Sequence, residues 1–257
     1  MFVRRRDQAD YEAAIALIAS GLGDTDIART TGIPRSTISA WRHGRGSGFH
    51  RRLATAGPWW RPRRPADYSY LLGLYLGDGC IQTSRGAFAS IVITLDASYP
   101  GIVETAAGSL VACFPDGRVR RFLRSQGSVV AVQLSHPALP FAFPQHGAGR
   151  KHLRPIDLTD WQRMTTTAHP RELLRGLIHS DGCRTMNRFK VKLPSGRVGA
   201  YEYPRYFFSN LSEDIRRIFC EHCELLGIRW TQSNPRNISI SNRRSVALMD
   251  EFIGPKW

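Results

Sequence analysis

Two aspartates, Asp78 and Asp181, each close a short apolar run in the same way. Residues 71–79 read LLGLYLGDG and residues 173–182 read LLRGLIHSDG. Each run ends in a small residue, Asp and Gly, followed by a cysteine (Cys80, Cys183) and strand-like sequence. Two carboxylates meeting on a chain of formal net charge +15 have the chemistry to hold a hard divalent cation against a phosphodiester. Gly73 and Gly77 stand one helical turn apart, as do Gly176 and Ser180, which leaves a smooth face on each helix where two backbones can approach closely. That packing would bring Asp78 and Asp181 together, where they repel and raise each other's pKa unless a cation lies between them. Mg²⁺, with Mn²⁺ as the alternative, is the expected ion, because it prefers oxygen ligands and keeps waters that can serve as nucleophiles.

The basic residues are unevenly divided. Of 36, only four are lysine: Lys151, Lys190, Lys192 and Lys256. Lys151 (in HGAGRKHLRP) and Lys256 (in FIGPKW) each follow a Gly-containing turn at the close of one half of the chain. A compact ammonium there can stabilise charge on a phosphate. The pI near 10.4 implies a polyanionic partner, double-stranded DNA, rather than a membrane. No apolar run suits a membrane span, and no apolar signal core follows Arg4–Arg6. Five scattered cysteines suit a reducing cytoplasm, with the protein nucleoid-associated when bound to DNA.

These sites need elements to position them. Residues 1–44 read as a helix-turn-helix: helices over 11–19, 24–31 (capped by Asp24 or Thr25) and 35–42, with Gly32 at the turn and Ala28, Ile33, Ile38 and Trp41 inside. Arg35, Ser36, Thr37, Ser39 and Arg42 form the DNA-contacting face of the third helix. Residues 45–66 are a Gly/Pro-interrupted basic linker in which Arg61, Arg63 and Arg64 suit phosphate contact, while Trp59 and Trp60 can pack on the next domain. From residue 67 the order helix, two strands, helix, two strands, helix occurs twice, in halves of about 67–165 and 166–257.

On these two nonamers and the repeated element order, residues 67–257 resemble the LAGLIDADG homing endonucleases in their single-chain, two-motif form. The resemblance implies an α+β fold of two pseudo-symmetric αββαββα halves forming a DNA-binding saddle. It implies a monomer that hydrolyses both strands of a specific DNA site with Mg²⁺. It assigns Asp78 and Asp181 to the metal, with Gly77 and Ser180 beside them, and Gly73, Gly77, Gly176 and Ser180 to helix packing. Lys151 and Lys256 match, by element order, basic residues that organise nucleophilic water or stabilise charge at the phosphate. The departures are Ser180 in place of a second glycine and His179 just before it, at a position where many members carry an apolar or acidic residue.

The strands should supply the DNA-reading surface, since a two-stranded ribbon fits the major groove. Candidates are Gln82, Thr83, Arg85, Thr94, Arg120, Arg124, Gln133, Arg184, Asn187, Arg188, Lys190, Lys192, Arg205, Asn210, Arg236 and Asn237, of which alternation leaves about half on one side. Cys220, His222 and Cys223 read as helix core rather than half a zinc site, since no second Cys/His pair follows. His136, His146, His152 and His169 show no metal-ligand spacing, and the chain lacks intein signatures at its ends. The rival reading is a nuclease-inactive transcription regulator that retains the fold. A pair of acids at a DNA interface argues against it, because they repel phosphate. An RNA-splicing cofactor follows from the resemblance alone.

Overall fold

A computed structural model of the chain describes residues 8–43, 57, 59–83, 89–192, 194–254 and 256. The first unit is three helices, α1 (Gln8–Ala19), α2 (Asp24–Thr31) and α3 (Arg35–Arg42). Ala14, Ile27, Ile33, Ile38 and Trp41 form its own small core, with Tyr11 edge-on to Trp41 at 5.1 Å. Gly32 makes the turn at φ 66°, a backbone that side chains rarely adopt. The expected cap of α2 is corrected. Gly23 takes the N-cap position without a side-chain hydrogen bond, and the Asp24 carboxylate instead pairs with Arg42 at 2.7 Å. Ala28 is only partly buried.

Both expected αββαββα halves are present. The first comprises α4 (Pro65–Asp78), β1 (Gly79–Gln82), β2 (Ser90–Asp96), α5 (Pro100–Cys113), β3 (Arg120–Arg124), β4 (Val129–Ser135) and α6 (Leu139–Ala142). The second comprises α8 (Pro170–Asp181), β5 (Gly182–Lys192), β6 (Val198–Ser209), α9 (Glu213–Leu225), β7 (Thr231–Asn234), β8 (Asn237–Ile240) and α10 (Arg243–Ile253). Each half forms an antiparallel sheet with the same strand order, β1-β2-β4-β3 and β5-β6-β8-β7. One helix was not expected: α7 (Asp160–Ala168), started by a capping box between Thr159 and Gln162. The boundary placed near residue 165 falls inside it. No helix among the described residues is long and apolar enough to cross a membrane.

Strand alternation fixes which face of each sheet meets the helices. Ile91, Ile93, Leu95, Val132 and Leu134 are buried in the first sheet, and Tyr206, Phe208, Ile238 and Ile240 in the second. Residues of the opposite parity point to the uncovered face. In the first half these include Cys80, Gln82, Thr94, Gln133, Arg120 and Arg124, by their pairing with one another across the sheet.

Helices α4 and α8 pack together at the centre of the molecule. Every residue of α4 from Tyr68 to Leu76 is buried, so this helix is apolar on all sides, whereas α8 buries one face. The approach is close enough to exclude side chains. A Cβ on Gly73 would lie 2.5 Å from the Leu173 carbonyl oxygen, and one on Gly176 would strike the Tyr70 carbonyl and sit 3.0 Å from Gly73 Cα. Gly108 in α5, by contrast, meets nothing within 4 Å. Gly176→Ala should therefore destabilise by about 3 kcal/mol, while Gly108→Ala should stabilise by about 1 kcal/mol. Denaturant melts of the two variants beside the parent measure both, and equal effects would contradict the packing.

Trp60 and Arg61, expected within the linker, make contacts with the second unit. Trp60 is buried, stacked on Phe114 at 5.2 Å and set against Tyr68 and Trp161. Arg61 lies over the Trp161 ring at 5.0 Å, and Trp59 remains exposed. The expected linker residues 45–56 lie outside the described residues. A chain cut to begin at residue 57 should keep the melting temperature of the second unit, whereas one beginning at 67 loses a buried tryptophan, worth about 3–5 kcal/mol. Calorimetry of the two truncations separates these outcomes.

Candidate active site at the paired helix ends

Each central helix stops at its aspartate because the next glycine turns extended: Gly79 has φ −92°, ψ 153° and Gly182 has φ −116°, ψ 168°. A Cβ on either would lie under 3 Å from the preceding turn (Tyr75 Cα, Ile178 Cα). The Asp-Gly pair thus ends the helix, opens the strand and leaves the carboxylate at the shared foot of α4 and α8. The two motifs meet there directly. A Cβ at Gly77 would be 2.5 Å from Ser180 Cβ and 3.0 Å from Asp181 Oδ2. Ser180 turns its hydroxyl back onto its own helix, donating to the Gly176 and Leu177 carbonyls at 3.1 and 3.0 Å.

The two lysines singled out by their rarity occupy matching positions. Lys151 Nζ donates to the carbonyl oxygens of Tyr75, Leu76, Gly77 and Gly79 at 2.5 to 2.9 Å, and so caps the C-terminus of α4. Lys256 Nζ does the same for α8, donating to His179 at 3.1 Å and Gly182 at 2.6 Å. The Tyr75 carbonyl also accepts the Gly79 N–H, the others belong to the helix ends where intrahelical donors run out, and the negative end of each helix dipole favours the cation. Each lysine holds one helix but faces the other half's aspartate: Lys151 shares a cleft of about 420 Å³ with Asp181, and Lys256 a smaller one with Asp78.

Charge at this foot is unbalanced. Burial and then the charge of Asp181 push the Asp78 carboxyl up to about 6, against the pull of Lys151 and Lys256. Burial also raises Asp181, opposed by a 2.6 Å hydrogen bond from Asn210 Nδ2 to its Oδ2 and by the two lysines. Burial lowers Lys151 to about 8, against the pull of both aspartates. Neighbouring oxygen donors whose ionisation is resisted by burial suit a hard divalent cation, and Asp78 and Asp181 are the residues that fit it. Among the described residues no third His, Cys, Asp or Glu completes a cluster of metal ligands.

His179, the departure from the resembled pattern, is accommodated in the core. Its Nδ1 accepts from the Tyr70 hydroxyl at 2.9 Å, which leaves Nε2–H to donate to the Ile253 carbonyl at 3.0 Å. Burial holds its pKa near 4, so the ring is neutral at pH 7 and ties α8 to both α4 and the end of α10.

The residues that close the second strand of each half were read incompletely from sequence. Asp96, not expected to matter, accepts from Ser98 N and Oγ at 2.8 and 2.6 Å and lines the cleft of Asp78 and Lys256. Asn210 accepts from Ser212 N at 2.8 Å in the corresponding turn, beside Asp181. The shared signal was Asp96-x-Ser98 and Asn210-x-Ser212, each just before a helix. Around Asp181 the cleft also carries Arg150, His152 and Arg154, so one cleft is basic and the other holds two acids and one lysine.

The structure sorts the expected DNA contacts. Arg35, Ser36 and Thr37 lie at the start of α3, with Ser39 a turn on, whereas Arg42 is committed within its unit to Asp24 and the Leu22 carbonyl. Arg61, Arg63 and Arg64 are all exposed, and the Arg61 guanidinium is drawn to Trp161 and the Trp60 carbonyl. Asn187 and Arg205 lie on the uncovered face of β5–β6. Arg184, Arg188, Lys190 and Lys192 do not. They share the parity of Tyr206, with Arg184 bound to Asp250 at 2.8 Å and Arg188 to Glu202 at 2.9 Å. Arg85 lies outside the described residues. Cys220, His222 and Cys223 are buried on the core face of α9.

No protein-family model matches the chain, and no curated protein does. Solved structures similar in fold include the full-length DUF199/WhiA protein from Thermatoga maritima, at 14% identity and TM-score 0.45, over 74% of this chain and 56% of that one. They also include mesophilic variants of the homing endonuclease I-DmoI, at 14% identity and TM-score 0.48, over 74% of this chain and 97% of that one. A third is the LAGLIDADG meganuclease I-AabMI bound to uncleaved DNA, at 13% identity and TM-score 0.44, over 72% and 82%. At such identities the likeness concerns the arrangement of elements alone.

The raised carboxyl has a consequence for stability. A native-state pKa near 6 against the usual 3.8 means that the folded protein binds this proton more tightly than the unfolded chain, so stability falls as pH rises between those values. Ionised Asp78 then costs at most about 3 kcal/mol. Without divalent metal, Asp78→Asn should melt higher than the parent at pH 7.5 and close to it near pH 4. Added Mg²⁺ or Mn²⁺ should raise the parent's melting temperature and leave that of Asp78→Asn unmoved.

Proposed function

We propose that this chain is a site-specific DNA endonuclease of the LAGLIDADG type, hydrolysing both strands of duplex DNA with a divalent cation. The observation that carries the reading is the pair of carboxylates, Asp78 and Asp181, delivered from two helices packed backbone to backbone into a strongly basic molecule. Asp78 and Asp181 hold the metal, Mg²⁺ or Mn²⁺, which when bound supplies Lewis acidity toward the phosphodiester and lowers the pKa of water. Asn210 fixes one oxygen of Asp181 and so leaves the other free to bind. Lys151 and Lys256 hold the helix ends, and their ammonium charges lie close enough to both aspartates to favour the added negative charge of a phosphate in its transition state. Arg150 and Arg154 in the cleft beside Asp181 attract the DNA backbone. Water attacks phosphorus as the bond to the leaving oxygen breaks, and the open face of the two sheets aligns the duplex across the carboxylates. The three-helix unit adds a second DNA contact through Arg35, Ser36, Thr37 and Ser39.

A regulator without nuclease activity is the second reading, favoured by the separate core and exposed α3 of the three-helix unit. Cleavage separates the two. The full chain, incubated with a randomised duplex library, should break both strands with Mg²⁺ and none with EDTA. Asp78→Asn and Asp181→Asn should each lower the rate by at least about 10³ while keeping affinity, since each removes an acid that faces phosphate. Lys256→Met should lower it by about 10². Selective binding without strand breaks in either metal would establish the regulator instead.

A further inference from the structure

The uncovered faces of the two sheets differ in emphasis. In the first half that face carries mainly hydrogen-bonding side chains, Gln82, Thr94, Gln133, Arg120 and Arg124, around the exposed ring of Phe122. In the second half it continues along a two-stranded ribbon, because β6 pairs with β8 only from Tyr206 to Ser209 while β5 and β6 stay paired from Gly182↔Phe208 out to Lys192↔Val198. Register and parity place Phe189, Tyr201, Tyr203, Arg205 and Phe207 together on the uncovered side. Phe189 and Tyr201 are 40% and 46% exposed, a large aromatic surface on a protein of net charge +15.

The rings on this ribbon are already engaged with one another or with Arg205. Phe189 stacks on Tyr201 at 5.4 Å and meets Tyr203 edge-on at 5.8 Å, while the Arg205 guanidinium covers Phe207 at 4.1 Å. Rings already paired with one another offer solvent a packed patch of aromatic carbon, which suits contact with small apolar groups better than insertion between unstacked bases. In the major groove thymine is the base that presents such a group, its C5 methyl. A ribbon of this width enters that groove, and Arg205 supplies the charge complementarity.

We propose that the β5–β6 ribbon selects a thymine-rich half-site by packing Phe189, Tyr201 and Tyr203 against thymine methyls in the major groove, whereas the first half reads its half-site by hydrogen bonds. This rests on the reading of the chain as a duplex-binding protein. The target is then lopsided in composition, with the T-rich part on the side of the second half.

The test begins with selection of bound duplexes from a random pool by the full-length protein. The selected site should be enriched in thymine on one side. Replacing those thymines with deoxyuridine removes only methyl groups and should weaken binding about fourfold for each methyl buried. In the Phe189→Ala/Tyr201→Ala variant, thymine and deoxyuridine should bind alike. Tyr201→Phe, which keeps the ring, should preserve the preference, as should Lys190→Ala on the opposite face. Thermal melts identify any variant that fails to fold, for which Tyr201→Phe and the deoxyuridine duplexes still decide the matter. A selected site bound equally with either base, or a preference that survives loss of both rings, overturns the inference and leaves the endonuclease reading standing. Failure to select any duplex overturns that reading as well.

Discussion

The contact of α4 with α8 is the constraint on which the rest depends. Gly73 and Gly176 let two peptide backbones meet where even a methyl group would collide. Beyond the Tyr70–His179 hydrogen bond, the stabilisation at the seam comes from dispersion and from burying Leu71, Leu72, Leu74, Leu173, Leu174 and Leu177 around it. The same closeness sets the electrostatics. Because the helices converge, their terminal carboxylates share one poorly solvated foot and their two negative dipole ends lie side by side. Lys151 and Lys256 answer the dipoles, and the remaining demand for positive charge falls on the carboxylates. Helix packing thus sets where the proposed cation would bind.

Much of this was legible in the sequence, for identifiable reasons. The motif helices were readable because small residues at one-turn spacing before Asp-Gly have few other uses, and the duplication supplied an internal control. Lys151 and Lys256 stood out through the scarcity of lysine. The strands of the first half were legible as strands, but which of their residues face outward follows only from the buried set Ile91, Ile93 and Leu95.

Other features were hidden because they depend on distant partners. The outer part of β5–β6 is exposed on both faces, so only its pairing back to Tyr206 and Phe208 reveals that Lys190 and Phe189 point opposite ways. Helix α7 was missed because its Thr165, Thr166 and Thr167 are weak helix formers, though Thr159 and Gln162 carried a capping signal. Tyr68, Gln162 and Gln145 hold it in place through buried hydrogen bonds at 2.8 and 2.6 Å. Trp60 sat in a stretch whose arginines and prolines resemble a tether, and only Phe114 and Trp161 make it part of the core. Asp24 was read as a cap because nothing local disclosed Arg42 as its partner.

The single hydroxyl of Ser180 bears on how the two halves can diverge. It fills the space that a side chain at Gly77 would need, so the seam has room for one such group and not two. Drift at either position is therefore conditional on the other: serine can move to residue 77 only as glycine returns to residue 180. Covariation at this pair is a steric necessity of the joint. The symmetry between the halves is broken there by one hydroxymethyl group, while the outer ribbons, which share no such joint, are at liberty to change independently and acquire different preferences.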